Sequence, residues 1–218
     1  MEQIRQSWAA NCKTMKNNPI ITIGRQYGSG GRSIANELGR RLGIPVYDNA
    51  LLSEASENCG YSPDIFKKRD EKKHLFSFSR LFSSLYSNAE NYMADDELFQ
   101  IQSETILKIA QEGPCIIVGR CANYVLRDYR DRLLNVFITS PYETRVQRVM
   151  ERIGVDEATA GKIITRKEKN RAEYYHYYTL GKWGDGPTYD LCIDSSILGI
   201  EGTAEIITDF AKAKGILE

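Results

Sequence analysis

The segment Ile23-Gly24-Arg25-Gln26-Tyr27-Gly28-Ser29-Gly30-Gly31-Arg32-Ser33 holds the residue types best suited to chemistry in this chain. Gly28, Gly30 and Gly31 let a backbone curl so that several N–H groups point inward. A helix beginning there adds partial positive charge. Together they form a cradle for a polyphosphate. The phosphate-loop pattern GxxxxGK[ST] fits in two registers. One runs over 26–33, with Gln26 at the first glycine, Gly31 at the second, Arg32 at the lysine and Ser33 at the hydroxyl. The other starts one residue earlier, with Arg25 at the first glycine and Gly31 at the lysine. Neither contains a lysine, and Arg32 is the nearest cation. A guanidinium binds phosphate well but is bulkier and planar. The Ser33 hydroxyl is suited to Mg²⁺. The rival dinucleotide pattern GxGxxG finds Gly28 and Gly30 but meets Ser33 at its last glycine, which disfavours it. A plain strand-to-helix connector needs fewer of these features.

The turn requires a strand before it and a helix after it. Ile20-Ile21-Thr22-Ile23 is a short β-branched run of the kind that forms a buried strand. Ile34, Ala35, Leu38 and Leu42 recur at helical spacing over about 31–42, and Gly43 stops that helix. Further strands are expected at 44–47, 115–118, 133–138 and 189–193. Helices are expected over much of 48–113, from Ser140, over about 156–178 and over 203–212. Ser140, Pro141 and Glu143 make a capping box. Behind it Val146, Val149, Met150 and Ile153 form one apolar stripe, with Arg145, Arg148 and Arg152 off it. Strands alternate with helices, which predicts an α/β fold with a parallel sheet. Residues 1–18 read as a separate amphipathic helix ended by Asn17-Asn18-Pro19.

The chain has 218 residues, 42% hydrophobic and 27% charged, with 29 basic and 29 acidic residues. That balance disfavours a basic nucleic-acid scaffold and an acidic solvating tail. No apolar run approaches the roughly 20 residues that cross a bilayer. The N-terminus lacks a secretory pattern. Five cysteines, with no CxxC pair, fit a reducing cytoplasm better than a disulfide framework or a zinc site. His74 and His176 carry no assigned role.

From Pro19 onward the chain resembles the cytidylate kinase-like proteins among the P-loop nucleoside monophosphate kinases. The resemblance rests on motif order. After the glycine-rich turn come Leu42-Gly43-Ile44-Pro45-Val46-Tyr47-Asp48 and Ile116-Ile117-Val118-Gly119-Arg120. An Arg-bearing helix, Glu168-Lys169-Asn170-Arg171 and Tyr189-Asp190-Leu191-Cys192-Ile193-Asp194 follow. Arg171-Ala172-Glu173-Tyr174-Tyr175 and Trp183-Gly184-Asp185 match the divergent branch. The resemblance implies a three-layer P-loop fold over 19–218 with a five-stranded parallel sheet. It also implies a helical acceptor-binding region at about 49–113 and a lid at about 154–187.

The implied reaction is Mg²⁺-dependent transfer from ATP to a small acceptor, most readily a nucleoside monophosphate. Donor phosphates would rest on Gly28, Ser29, Gly30, Gly31, Arg32 and Ser33, with Arg145 and Arg148. The acceptor would meet Asp48, Arg120, Glu168 and Arg171. Arg32, Arg120, Arg166 and Arg171 would act on the transferring group, and Ser33 and Asp48 on the metal. Plainer roles stand beside these. Arg145 and Arg148 fit a solvated helix face. Glu168 and Arg171 fit an i,i+3 ion pair, and Asp48 fits a helix cap. Cys121 stands where cytidylate kinases carry Asp, and Glu54 where they carry Arg, so the acceptor stays open between CMP and others. The alternative class is a nucleotide-binding sensor or partner module with weak catalysis. A homodimer is compatible with either class.

Overall fold

The computed structural model describes residues 18–48 and 90–218. The expected N-terminal helix over 1–18, apart from its last residue, lies outside the described residues. So do the helices expected over 49–89, the Glu54 position and most of the aromatic stretch 76–92. The described elements are β1 (Ile20–Arg25), α1 (Gly31–Leu42), β2 (Val46–Tyr47), α2 (Glu90–Glu112), β3 (Cys115–Val118) and α3 (Ala122–Val125). They continue with β4 (Leu133–Thr139), α4 (Tyr142–Ile153), α5 (Glu157–Thr179), β5 (Leu191–Asp194) and α6 (Ser195–Ala213).

The strands form one five-stranded sheet in the order β2-β3-β1-β4-β5. Every pairing is parallel, with β1 central: Ile20 lies opposite Cys115 on one side and Leu133 on the other. Strand alternation divides the core. Ile21 and Ile23 face α1 and α6, joining Ile34, Leu38, Ala204 and Ile207. Ile20 faces the opposite layer with Ile106, Ile117, Leu126 and Leu133. A sheet covered on both faces explains why its strands read as continuous apolar runs. The chain leaves β1 toward β2 and returns past it from β3 to β4. The crevice at the C-terminal strand ends is therefore the topological switch point, where ligands bind in such sheets.

Element boundaries depart from expectation in informative places. β1 runs past Ile23 to Arg25, which pairs with Ile138. Gly24 does not end the strand; it makes room, since a Cβ there would lie 2.6 Å from Phe137 Cδ2. The expected capping box on α4 is absent. Pro141 is the N-cap, with no side-chain cap bond. The Ser140 backbone is committed elsewhere: its N–H donates to Gln26 Oε1 at 3.1 Å and its carbonyl accepts from Arg145 Nε at 2.9 Å. The α4 stripe is rotated too: Arg145 is buried at 6% exposure whereas Ile153 is 44% exposed. α6 begins at Ser195, earlier than expected, capped by Asp194 and broken at Gly199. No described helix is long and apolar enough to cross a membrane.

Candidate active site

The turn over 26–30 is held from below. Gln26 N–H donates to Ile138 O at 3.0 Å, tying the turn to β4. Ser29 is fully buried, and its hydroxyl donates to Gln26 O at 2.9 Å. Ser195 donates to Ser29 O at 2.6 Å, and Arg148 donates to the Ser195 hydroxyl at 3.0 Å. Arg148 thus braces the turn from α4, through Ser195 at the start of α6. Gly28 and Gly30 have φ of +86° and +79°, the left-handed region that glycine adopts without a Cβ penalty. Gly28 also admits α4: a Cβ there would lie 2.8 Å from the Arg145 carbonyl oxygen. Gly30 is the N-cap of α1, so the helix opens at Gly31, Arg32 and Ser33 with its first N–H groups unspent.

Beside this turn lies a cleft of about 360 Å³ at the C-terminal ends of β1 and β3. Its cations are Arg25, Arg32, Arg120, Lys167 and Arg171. Tyr174, Tyr175, Trp183 and Tyr189 line it as well. Burial holds the Arg25 guanidinium well below its ordinary range, and neighbouring Arg171 and Arg120 add to the effect. Burial likewise lowers Arg171 to about 10, with Glu168 opposing. Crowded, desolvated guanidinium groups are costly without an anion to share. The cleft therefore concentrates positive charge at the strand ends, with Asp48 the carboxylate that acts on Arg25.

Arg120 enters the cleft from an unusual backbone. Gly119, Arg120 and Cys121 are all left-handed, with φ of +82°, +57° and +54°. Ala122 N–H closes the turn on Gly119 O at 3.1 Å. Two non-glycine residues in this region cost about 1–2 kcal/mol each. Such strain collects where a side chain must be aimed. The Arg120 guanidinium lies 5.7 Å from the Tyr174 ring. Burial pushes the Cys121 thiol up to about 12, which leaves it no nucleophilic character at neutral pH.

The remaining candidates divide by position. Arg32 is ion-paired with Asp48; its side chain is 71% exposed and that of Asp48 13%. Ser33 is exposed on the first turn of α1. Arg171 Nη1 donates to Arg25 O at 2.9 Å, linking α5 to the end of β1. Glu168 accepts from Arg145 Nη1 at 2.7 Å and from Tyr27 N–H at 3.2 Å. These two form a clasp under the turn, and Glu168 is ion-paired with Arg145 and not with Arg171 at i,i+3. Arg145 is therefore neither a solvated residue nor part of the cleft lining. Arg166 lies in a separate groove with Tyr142 and Lys162, and its neighbour Lys167 faces the cleft. A one-residue change on a helix rotates a side chain by ~100°, and spacing alone did not fix the face. Arg25 was the other omission. A charge at the end of a buried strand is the signal that could have found it, and Arg120 carries the same one. Among the described residues, no three His, Cys, Asp or Glu side chains gather to hold a resident metal.

Comparison with known proteins gives a consistent answer. The sequence is 28% identical over 200 residues to cytidylate kinase of Methanopyrus kandleri, covering 86% of this chain and 90% of that one. It is 27% identical to cytidylate kinase of Methanococcus aeolicus, covering 86% and 94%. In structure it matches an uncharacterized protein from Eubacterium ventriosum with a TM-score of 0.69 and 30% identity, covering 89% and 98%. Shikimate kinase from Bacteroides thetaiotaomicron shares the fold at a TM-score of 0.51 and 14% identity, covering 89% and 98%. The fold is thus the P-loop α/β fold. The sequence model of the cytidylate kinase-like family matches residues 20–197, and the chain belongs to that family.

Proposed function

We propose that this protein transfers the γ-phosphoryl group of ATP to a nucleoside monophosphate, with CMP and its relatives as the first candidates. The observation that carries this reading is the cluster of five cations facing one cleft beside the glycine turn. Phosphoryl transfer asks a protein for positioning and charge neutralisation more than for covalent chemistry. An ionised acceptor phosphate oxygen attacks the γ-phosphorus. The new O–P bond forms as the bond to the β,γ-bridging oxygen breaks, and ADP leaves. The nucleophile carries no proton, so no general base is needed.

In this reading the backbone over 28–33 holds the donor phosphates. Arg120 and Arg171 bind the acceptor phosphate and the migrating group, while Lys167 adds charge from α5. Residues 154–187 act as a lid and 49–113 as the acceptor-binding region. Glu168 and Arg145 are positioning residues that tie the lid to the turn. Ser33 and Asp48 are hard oxygen donors of the kind Mg²⁺ takes alongside phosphate oxygens. Bound there, directly or through water, Mg²⁺ would neutralise phosphate charge. The test is a coupled ADP-release assay with Mg-ATP and a panel of nucleoside monophosphates. One acceptor should stimulate release, and Arg120→Ala or Arg171→Ala should lower it about 10²-fold or more. ATP binding without stimulation by any acceptor would leave the nucleotide-binding module instead.

A further inference from the structure

The two registers of GxxxxGK[ST] on this turn have different consequences, and the backbone separates them. An obligatory glycine is explained where φ is positive. Gly30 has φ of +79° and is the N-cap of α1, whereas Gly31 is helical. Gly30 therefore occupies the second glycine of the pattern. Arg25 then stands at the first glycine, Gly31 at the lysine and Arg32 one residue beyond it. Lysine in this pattern reaches the β- and γ-phosphates.

The space that a lysine at 31 would use is already filled. A Cβ on Gly31 would lie 2.6 Å from Arg25 Cβ and 2.9 Å from Arg25 Cγ. A Cβ on Gly119 would collide with Arg25 Nη1. The arginine stem thus crosses the first residue of α1, and its guanidinium lies against the end of β3. Arg32, at the residue after, is ion-paired with Asp48 at the rim of the cleft. We propose that Arg25 supplies from the strand the β,γ-phosphate cation that lysine supplies from the helix. Gly31 and Gly119 are then glycines because its side chain passes over both. This assignment rests on the phosphoryl-transfer reading above.

A charge-swap cycle tests it, with turnover, ATP calorimetry and thermal melts on each protein. Arg25→Gly should cost about 10²-fold in turnover or more. It should weaken ATP far more than AMP, which lacks the β- and γ-phosphates. Gly31→Lys alone should also fall, because its Cβ meets Arg25. The double change Arg25→Gly with Gly31→Lys restores both glycines and the lysine of the pattern, with Arg32 still at its hydroxyl position, and should recover at least about tenfold over either single change. If Arg25→Gly does not fold, Arg25→Lys and Arg25→Met carry the comparison, the first retaining activity and the second losing it. Near-wild-type turnover in Arg25→Gly or Arg25→Met overturns the assignment while the function stands. So does a double change no better than the singles. A wild-type protein that binds no ATP overturns both.

Discussion

Arg145 is the residue whose role changed most between sequence and structure. Read from spacing it sits off the apolar stripe of α4. In the fold it is buried, with its guanidinium divided between Ser140 O and Glu168. Removing the partner of a buried charge costs more than the pair contributes. Glu168→Gln should therefore destabilise the protein by about 3 kcal/mol, the low end for a buried pair, because Glu168 keeps 22% exposure. Denaturant melts would measure it. Turnover should fall as well, since the clasp aligns the turn with α5. A loss confined to exposed-pair size would mean that Arg145 finds another acceptor. Arg120 entered through the family resemblance. Arg25 shares one signal with it, a charge just past a buried apolar run, but no motif of the resemblance pointed to Arg25.

At the scale of elements, the glycine turn and α5 carry separable expectations. Gly28 and Gly30 share a left-handed backbone but differ in what a methyl group would meet. At Gly28 it would strike the Arg145 carbonyl oxygen at 2.8 Å, and at Gly30 the end of the Ile200 side chain at 2.7 Å. A side-chain end can swing away and a helix backbone cannot. Gly28→Ala should thus lower stability and ATP affinity more than Gly30→Ala. Each carries the common left-handed penalty of about 1–2 kcal/mol, and melts with matched ATP titrations compare them. On α5, Asp156 accepts from Thr159 N–H at 2.8 Å and from its hydroxyl at 3.0 Å, which holds the carboxyl below its usual range. A lowered carboxylate stabilises above its unfolded pKa and loses that contribution as pH falls through the folded one. The melting difference between wild type and Asp156→Asn should therefore shrink as pH drops below about 4. A constant difference would contradict it. Helix existence was readable from periodicity in α1 and α4. The end of β1 and the start of α6 were not, because Gly24, Gly199 and Gly202 resemble breakers in sequence. Gly24 instead receives a ring, and Gly199 kinks one continuous segment.

For the whole molecule, alternating strand and helix signals were enough to reach an α/β fold with a parallel sheet, and helices on both faces came with the family resemblance. Apolar runs such as Cys115-Ile116-Ile117-Val118 leave little choice of environment. The count of five strands came with the family resemblance, and their order came only with the structure, since pairing of β1 with β3 and β4 is a long-range property. That order brings Arg25 and Arg120 to adjacent strand ends, with Arg171 over them from α5. The central claim is that this convergence moves a phosphoryl group between nucleotides. Phosphorus NMR of the protein with Mg-ATP and a nucleoside monophosphate tests it directly. The account predicts growth of ADP resonances together with those of a second nucleoside diphosphate, at matched rates, and loss of both in Arg120→Ala. ADP appearing with inorganic phosphate and no new diphosphate would contradict it, and so would no change in a protein that binds ATP.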